Sequence, residues 1–226
     1  MKTQTGDPST LRYYANNAGH LAQRYENADV SALQERLAGV FDSGAKVLEL
    51  GCGSGRDMAF MLSRGFDVFA VDASPMMLHQ AMQLHPNAAN RMKCLCLPDV
   101  LPYPDRSFDG AYALAVLMHL DREGIGKSIA EVKRLLKPGG FFFMSIPSSR
   151  NDLNANGRDD KGRLFTALPL NDWVALCETR GFRKLTCWND PDALGRAEIR
   201  WTSLLFEKTA RRKNLTKPGP GMMNDA

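Results

Sequence analysis

A short apolar run that ends in three closely spaced glycines constrains the fold of this chain more than any other stretch. Val47 to Leu50 form the run, and Gly51, Gly53 and Gly55 follow in the string KVLELGCGSGRD. The run predicts a buried strand, and the glycines predict a tight turn into a helix. A residue without a Cβ lets the backbone approach a ligand, and a helix start offers unpaired N–H groups. The stretch therefore predicts a nucleotide-type loop, with an ordinary turn as the alternative.

The spacing of these glycines distinguishes between nucleotide ligands. A dinucleotide-binding loop carries G-x-G-x-x-G, with its third glycine or an alanine five residues after the first. In this chain that position is Arg56, and the third glycine, Gly55, comes one residue earlier. The pattern argues against NAD and favours a different nucleoside ligand.

Three strings together resemble one protein family. Glu49 and the three glycines make the arrangement E-x-G-x-G-x-G, which resembles the first motif of class I S-adenosylmethionine-dependent methyltransferases. The strings PDVLPYPDRSFDGAYALAVLMHL and LLKPGGFFFMSI resemble later motifs of that family, and the second is more specific than the glycine loop alone. The resemblance covers about residues 11–208. It implies methyl transfer as the activity and S-adenosyl-L-methionine as the cofactor.

The composition is that of a soluble globular domain. The chain has 226 residues, 44% of them hydrophobic and 24% charged, which suits one domain with a full core. No apolar run matches a bilayer span, and the first residues lack the apolar core of a signal peptide, so we expect a cytoplasmic protein without a membrane partner. Five cysteines without C-x-x-C spacing argue against a disulfide framework or a metal site. Cys94 and Cys96, two residues apart, are interpreted as core residues on one face of a strand.

The net positive charge lies at the end of the chain. The formal net charge is +4, and the segment from Lys208 onward carries five basic residues against Asp225, so its balance of five minus one accounts for the total. A basic end with prolines and glycines predicts a disordered tail over 209–226, and nucleic-acid binding is the alternative. Residues 1–10 are also predicted to be disordered.

Strand and helix patterns alternate along the rest of the chain. This alternation predicts an α/β fold, a doubly wound, Rossmann-like, seven-stranded sheet that is mostly parallel and has an antiparallel last strand. Its strand order is implied by the family resemblance. The residues before the first strand, 11–44, are predicted to be a helical leader that forms a lid. The predicted strands after the first are 67–71, 92–97, 108–114, the apolar end of LLKPGGFFFMSI, 183–189 and 198–208.

Two acids each follow a predicted strand. Asp72 lies 21 residues after Gly51, where a carboxylate can accept both ribose hydroxyls of a nucleoside. A helix cap is the alternative for Asp72, although Ser74 and Pro75 already supply a cap and a first-turn proline. By the resemblance, Asp99 holds the adenine amino group and the next backbone N–H, that of Val100, reaches a ring nitrogen.

The resemblance also implies the remaining cofactor contacts. The leader matches a YYxxNAxxxxxRY-like lid motif, which makes Tyr14 and Arg24 candidate cofactor contacts and Tyr13 a candidate substrate contact. As structure alone, these aromatic residues pack a helix onto the domain. The other implied cofactor contacts are Glu49, Gly51, Cys52, Gly53, Gly55, Arg56, Asp72, Ala73 and Ala115.

His119 is the candidate catalytic residue. The predicted fourth strand delivers residues 115–120 into the ligand crevice, and histidine titrates near neutrality. A packed, hydrogen-bonded histidine is the alternative. Methyl transfer asks the protein mainly for alignment, so a base is needed for a weakly acidic hydroxyl and hardly for a thiolate or a carboxylate. His119 and Arg163 are also candidate substrate contacts. Arg163 lies in the string GRLF at the end of a long polar loop, where it binds a substrate anion or forms a surface salt bridge.

Three functions follow from these observations. A methyltransferase for a small-molecule acceptor is favoured, because a leader and one loop are too little for a macromolecule-binding domain. The alternatives are an RNA or protein methyltransferase that uses the basic tail, and a protein that binds S-adenosylmethionine without catalysis.

Overall fold

Seven strands form one sheet at the centre of this computed structural model, which describes residues 6–196 and 198–209. The strands are β1 (Lys46–Leu50), β2 (Asp67–Asp72), β3 (Met92–Cys94), β4 (Phe108–Leu114), β5 (Leu136–Ser149), β6 (Phe182–Asp190) and β7 (Arg200–Lys208). The α-helices are α1 (Pro8–Asn16), α2 (Ala18–Glu26), α3 (Ser31–Ala38), α4 (Arg56–Ser63), α5 (Pro75–Leu84), α6 (Arg122–Leu135) and α7 (Leu170–Glu178). Two 3₁₀ turns cover Pro86–Arg91 and Leu117–His119.

The strand order is β3-β2-β1-β4-β5-β7-β6. Neighbours from β3 to β5 pair in parallel, and β7 is antiparallel to both β5 and β6. This arrangement confirms the predicted doubly wound, mostly parallel sheet with an antiparallel last strand. The order reverses between β1 and β4, and ligands of such sheets bind at the carboxyl ends of the strands beside that reversal.

Hydrophobic side chains on both faces of the sheet bury the strands. Successive residues of a strand point to opposite faces, and accordingly Phe142 and Phe143 belong to two different core clusters. Trp173 of α7 is fully buried in the first cluster, and Phe41, from the segment before β1, packs in the second. Burial on both faces explains why β4 and the middle of β5, residues 141–146, are mostly apolar.

The third strand is shorter than predicted. It ends at Cys94 and not at residue 97, so the alternation expected to place Cys94 and Cys96 on one buried face does not apply. Cys94 is exposed and Cys96 is half-buried, and the prediction of two core cysteines was wrong.

The leader begins earlier than predicted. Helix α1 starts at Pro8, and the carboxylate of Asp7 accepts a hydrogen bond from the Thr10 N–H at 2.8 Å. An N-cap acid followed by a first-turn proline is a sequence signal for a helix start, so the predicted disorder is wrong for residues 8–10. Residues 1–5 and, apart from Thr209, the predicted tail lie outside the described residues. Within the described ranges, none of the helices has the length and apolarity that crossing a membrane requires.

Candidate functional site

A cavity of about 540 Å³ lies at the carboxyl ends of β1, β2 and β4. Residues 51–54 of the glycine loop form one side together with the start of the segment after β2. Helices α1 and α2, which make up the part of the leader at this site, cover the cavity. The loop of residues 150–166 lies beside these helices and also lines the cavity. The position is the one that the reversal of strand order predicts for a ligand site.

The glycine loop approaches the end of β4 too closely for a side chain. Gly51 has a φ of 71°, and a Cβ added to it would lie 2.4 Å from Cγ2 of Val116. Its N–H donates to the carbonyl of Val71 at 2.7 Å, and the N–H of Cys52 donates to the same oxygen at 3.1 Å. The loop is therefore fixed between two strands, which explains why position 51 requires a glycine.

Asp72 lies where β2 meets the cavity. One carboxylate oxygen accepts from the Gly53 N–H at 2.9 Å and the other accepts from the Ser74 N–H at 2.8 Å. Burial raises the pKa of this carboxyl above its usual value. Ser74 is the side-chain cap of α5, as predicted, through a 3.3 Å bond from the Met77 N–H. Asp72 therefore orients the glycine loop and also lines the cavity.

Glu49 and Arg56 line the cavity but are already bonded to protein groups. Glu49 is buried and accepts from the Tyr112 hydroxyl at 3.1 Å, and burial raises its pKa well above the usual value. Arg56 donates to both carboxylate oxygens of Asp57 and to the carbonyl of Tyr25 at 2.7 Å. Arg56 therefore connects the helix after the glycine loop to the leader.

Tyr14 and His119 meet across the cavity. The Tyr14 hydroxyl lies 3.0 Å from Nε2 of His119, and Nδ1 of His119 lies 2.7 Å from the carbonyl oxygen of Leu164. Burial, together with the positive charges of Arg163 and Arg150, lowers the pKa of His119 to about 4. The imidazole is therefore neutral at physiological pH.

Two further contacts join the leader to the 150–166 loop. Arg158 donates to both carboxylate oxygens of Asp7, at 3.0 and 2.7 Å. The Leu164 N–H donates to the Thr10 hydroxyl at 2.9 Å. A carboxylate and a guanidinium that share two hydrogen bonds hold a fixed geometry, so the leader and the loop form one continuous cover.

Arg163 is bonded to a buried acid. Its Nε and Nη2 donate to one oxygen of Asp159 at 2.8 and 2.6 Å, and the Asp159 side chain is fully buried. Its guanidinium also lies 4.7 Å from the ring centroid of Tyr13. Arg163 therefore forms a salt bridge, with a buried acid and not on the surface, and its contact with a substrate anion stays a prediction.

Most of the predicted site residues come together in the cavity. Those that line it are Tyr13, Tyr14, Arg24, Glu49, Gly51, Cys52, Gly53, Arg56, Asp72, Ala73, Ala115, His119 and Arg163. Ala115 has a φ of 56°, which is rare for a residue with a side chain. Strained residues of this kind occur preferentially at functional sites.

Three predicted contacts do not line the cavity. Gly55 lies behind the loop, where an added Cβ would contact Met92, His85 and Ala81. Asp99 and Val100 are both exposed and do not line the cavity, so their adenine contacts stay predictions. The Asp99 N–H donates to the Cys96 carbonyl at 3.0 Å, which turns the chain, so Leu95 to Leu97 line the cavity instead.

Sequence reasoning missed the charged pairs at the other end of the cavity. Arg150 pairs with Asp152, and Arg196 pairs with Asp192, which also accepts from the Trp201 indole at 2.8 Å. Local spacing gives a weak signal for the second pair, because the acid and the arginine are four residues apart. All five of these residues line the cavity.

Several methyltransferases are among the known proteins that this chain resembles. Residues 48–144 match the family model described as a methyltransferase domain. An uncharacterized methyltransferase of Synechocystis is 33% identical over 99 residues, which are 44% of this chain and 45% of that protein. The 2-methyl-6-phytyl-1,4-hydroquinone methyltransferase of Synechocystis is 28% identical over 131 residues, or 58% of this chain and 36% of that one. The chain spans about half the length of the curated relatives that it matches.

A solved structure shares the fold over most of the chain. It is 1,6-didemethyltoxoflavin-N1-methyltransferase from Burkholderia thailandensis, with 1,6-didemethyltoxoflavin and S-adenosylhomocysteine bound. The TM-score is 0.73 at 21% identity, and the match covers 89% of this chain and 88% of that chain. Identity at this level shows a common fold.

Proposed function

Residues 48–144 match a methyltransferase domain, and from that premise we propose that this chain is a class I S-adenosylmethionine-dependent methyltransferase that transfers the methyl group to a small-molecule acceptor. The observation that carries the proposal is the covered cavity. It has the position of a ligand site in a doubly wound sheet, and its volume of about 540 Å³ lies within the usual range for small-molecule sites. A leader and a loop cover it, so there is room for a small acceptor and little access for a polymer.

The residues of the cavity fit this cofactor. Gly51 forms a cradle that a Cβ would fill, and Asp72 offers a carboxylate to the two ribose hydroxyls. Arg24 lines the cavity and forms no ion pair with any residue in the described part of the chain, so its guanidinium is available to the carboxylate of the cofactor.

The chain's own contribution to the reaction is alignment and exclusion of water. When bound, S-adenosylmethionine supplies an electrophilic methyl group on a sulfonium, which a nucleophile attacks in line. The glycine loop and Asp72 fix one reactant, while the leader and the 150–166 loop enclose the other. Holding two reactants in line removes much of the entropic barrier to their reaction.

Calorimetry with S-adenosylhomocysteine and with NAD tests the cofactor. We expect the first to bind and the second not to bind. Asp72→Asn should weaken S-adenosylhomocysteine binding by about 1.5 to 3 kcal/mol, because the ribose hydroxyls lose a charged hydrogen-bond acceptor.

Asp67→Asn is the matched control. Asp67 lies at the opposite end of the same strand, pairs with Arg91 and does not line the cavity. Equal affinities of the two variants for S-adenosylhomocysteine would mean that Asp72 does not contact the cofactor. Transfer of an isotopically labelled methyl group to a metabolite extract then separates an enzyme from a protein that only binds the cofactor.

A further inference from the structure

Both ring nitrogens of His119 are bonded to protein groups. The carbonyl of Leu164 can only accept, so the proton of the imidazole lies on Nδ1, at 2.7 Å from that oxygen. In the neutral ring Nε2 is then an acceptor, and the Tyr14 hydroxyl, 3.0 Å away, donates to it. Neither nitrogen is left to take a proton from an acceptor.

The charged groups around the ring support this arrangement. Arg163 and Arg150 disfavour a positive imidazole, and Asp159, the acid on the same side, is itself paired with Arg163. The ring packs against Phe165, with centroids 4.6 Å apart. Burial raises the pKa of the Tyr14 phenol, which keeps its proton available to His119.

The acids at this end of the described cavity are paired with basic side chains, including Asp160 with Lys161 at 3.1 Å and Asp190 with Arg36 at 2.5 Å. Asp152, Asp159 and Asp192 each accept hydrogen bonds from an arginine, at 2.8, 2.6 and 2.6 Å. An acid held by a guanidinium is a weak base, because the charged form is stabilised.

We propose that His119 is a positioning residue that joins the leader to the 150–166 loop and holds the cover of the cavity closed. It lies on the turn after β4, Tyr14 lies on α1 and Leu164 lies on the loop, so the imidazole bridges three segments. This inference rests on the proposed function, because a closed cover matters to a reaction that needs alignment. The attacking atom of the acceptor must then be nucleophilic at neutral pH without giving a proton to His119, as an unprotonated ring nitrogen, a thiolate or a carboxylate is.

Nitrogen-15 NMR of the imidazole groups tests the state of His119 without any acceptor. The spectrum of the wild-type chain should contain one histidine with its proton on Nδ1 that does not titrate between about pH 5 and 8. His119→Gln removes that signal and so assigns it. A His119 that carries its proton on Nε2, or that titrates near neutrality, overturns the inference.

Amide exchange and ligand release test the bridge. Tyr14→Phe should increase exchange in both α1 and the 150–166 loop, and should speed S-adenosylhomocysteine release about three- to tenfold, the range of one lost hydrogen bond. His119→Gln keeps a side-chain acceptor and donor and should restore part of the protection that His119→Ala loses. Tyr103→Phe is the control, because it removes a phenolic hydroxyl that has no hydrogen-bond partner among the described residues and lies outside the cavity.

The outcomes separate the inference from the proposed function. If amide exchange in α1 and in the 150–166 loop is the same in Tyr14→Phe as in Tyr103→Phe, the bridge does not hold the cover and the inference is wrong. If the wild-type chain fails to bind S-adenosylhomocysteine, the proposed function is wrong. The NMR and amide-exchange measurements still test the position of the His119 proton and the bridge.

Discussion

At Gly51 the backbone conformation and a neighbouring side chain both exclude a Cβ. The φ of 71° is left-handed, and Val116 occupies the space where the Cβ would lie. We expect Gly51→Ala to lower the free energy of unfolding by about 2 to 4 kcal/mol, which combines the left-handed penalty with overpacking. Urea unfolding measures this change.

Gly44→Ala isolates the conformational part of that cost. Gly44 has a similar φ of 75°, but an added Cβ there meets no atom within 4 Å. Its substitution should cost about 1 to 2 kcal/mol. Equal costs at the two positions would mean that Val116 moves away freely and does not determine the residue at position 51.

Single residues differ in how far sequence predicts their place in the site. Gly51 and Asp72 were predictable because their positions depend on a local strand and turn. Asp99 and Val100 were not, because the turn after β3 positions them and its path depends on a hydrogen bond within the turn. The role of His119 depended on Leu164, 45 residues away, which no local pattern indicates.

One ion pair at the start of α1 strengthens the contact between this helix and the 150–166 loop. Asp7 caps α1 and also accepts two hydrogen bonds from Arg158. Asp7→Asn keeps a capping oxygen but loses the charge, so we expect the loop to open more often, by about 1 kcal/mol. Amide exchange of the loop at low and high salt measures this, and the effect should shrink as salt screens the wild-type pair.

Asp29→Asn is the control for a changed charge near a helix start. Asp29 is exposed and accepts from Ser31 at the beginning of α3, without a partner arginine among the described residues. If this variant alters exchange in the 150–166 loop as much as Asp7→Asn does, the ion pair with Arg158 is not what holds the loop.

Elements with strong periodicity were predicted well, and elements fixed by distant contacts were not. Strand β4, for example, has the predicted limits, 108–114. The 150–166 loop has no such pattern. Its path is fixed by Thr10 and by the Met118 carbonyl, which accepts from the Thr166 N–H at 2.7 Å.

At the scale of the whole molecule, the alternation of elements predicted the sheet but not how its cavity is covered. Parallel strands connected by helices lead to a doubly wound sheet. The covering segments are far apart in the sequence, one before β1 and the other between β5 and α7, and contacts between residues such as Asp7 and Arg158 connect them. Patterns within a window of a few residues contain no information on such contacts.

Removal of the basic tail tests the class of acceptor. We expect deletion of residues 210–226 to leave S-adenosylhomocysteine affinity and methyl transfer to a small acceptor unchanged, because this segment carries charge and little apolar surface. Thr209 is retained because its N–H donates to the Gly181 carbonyl at 3.0 Å. Loss of turnover with unchanged cofactor binding would favour an RNA or protein acceptor.

The cover has a consequence for exchanging parts between related proteins. One of its halves precedes β1 and the other follows β5, and the two are matched at Asp7 with Arg158, Thr10 with Leu164, and Tyr14 with His119. A chimaera that receives a foreign 150–166 loop keeps the native leader and therefore loses these matches. We therefore expect that the cover can be exchanged between related proteins only if both segments are exchanged together, because a single crossover separates the matched residues.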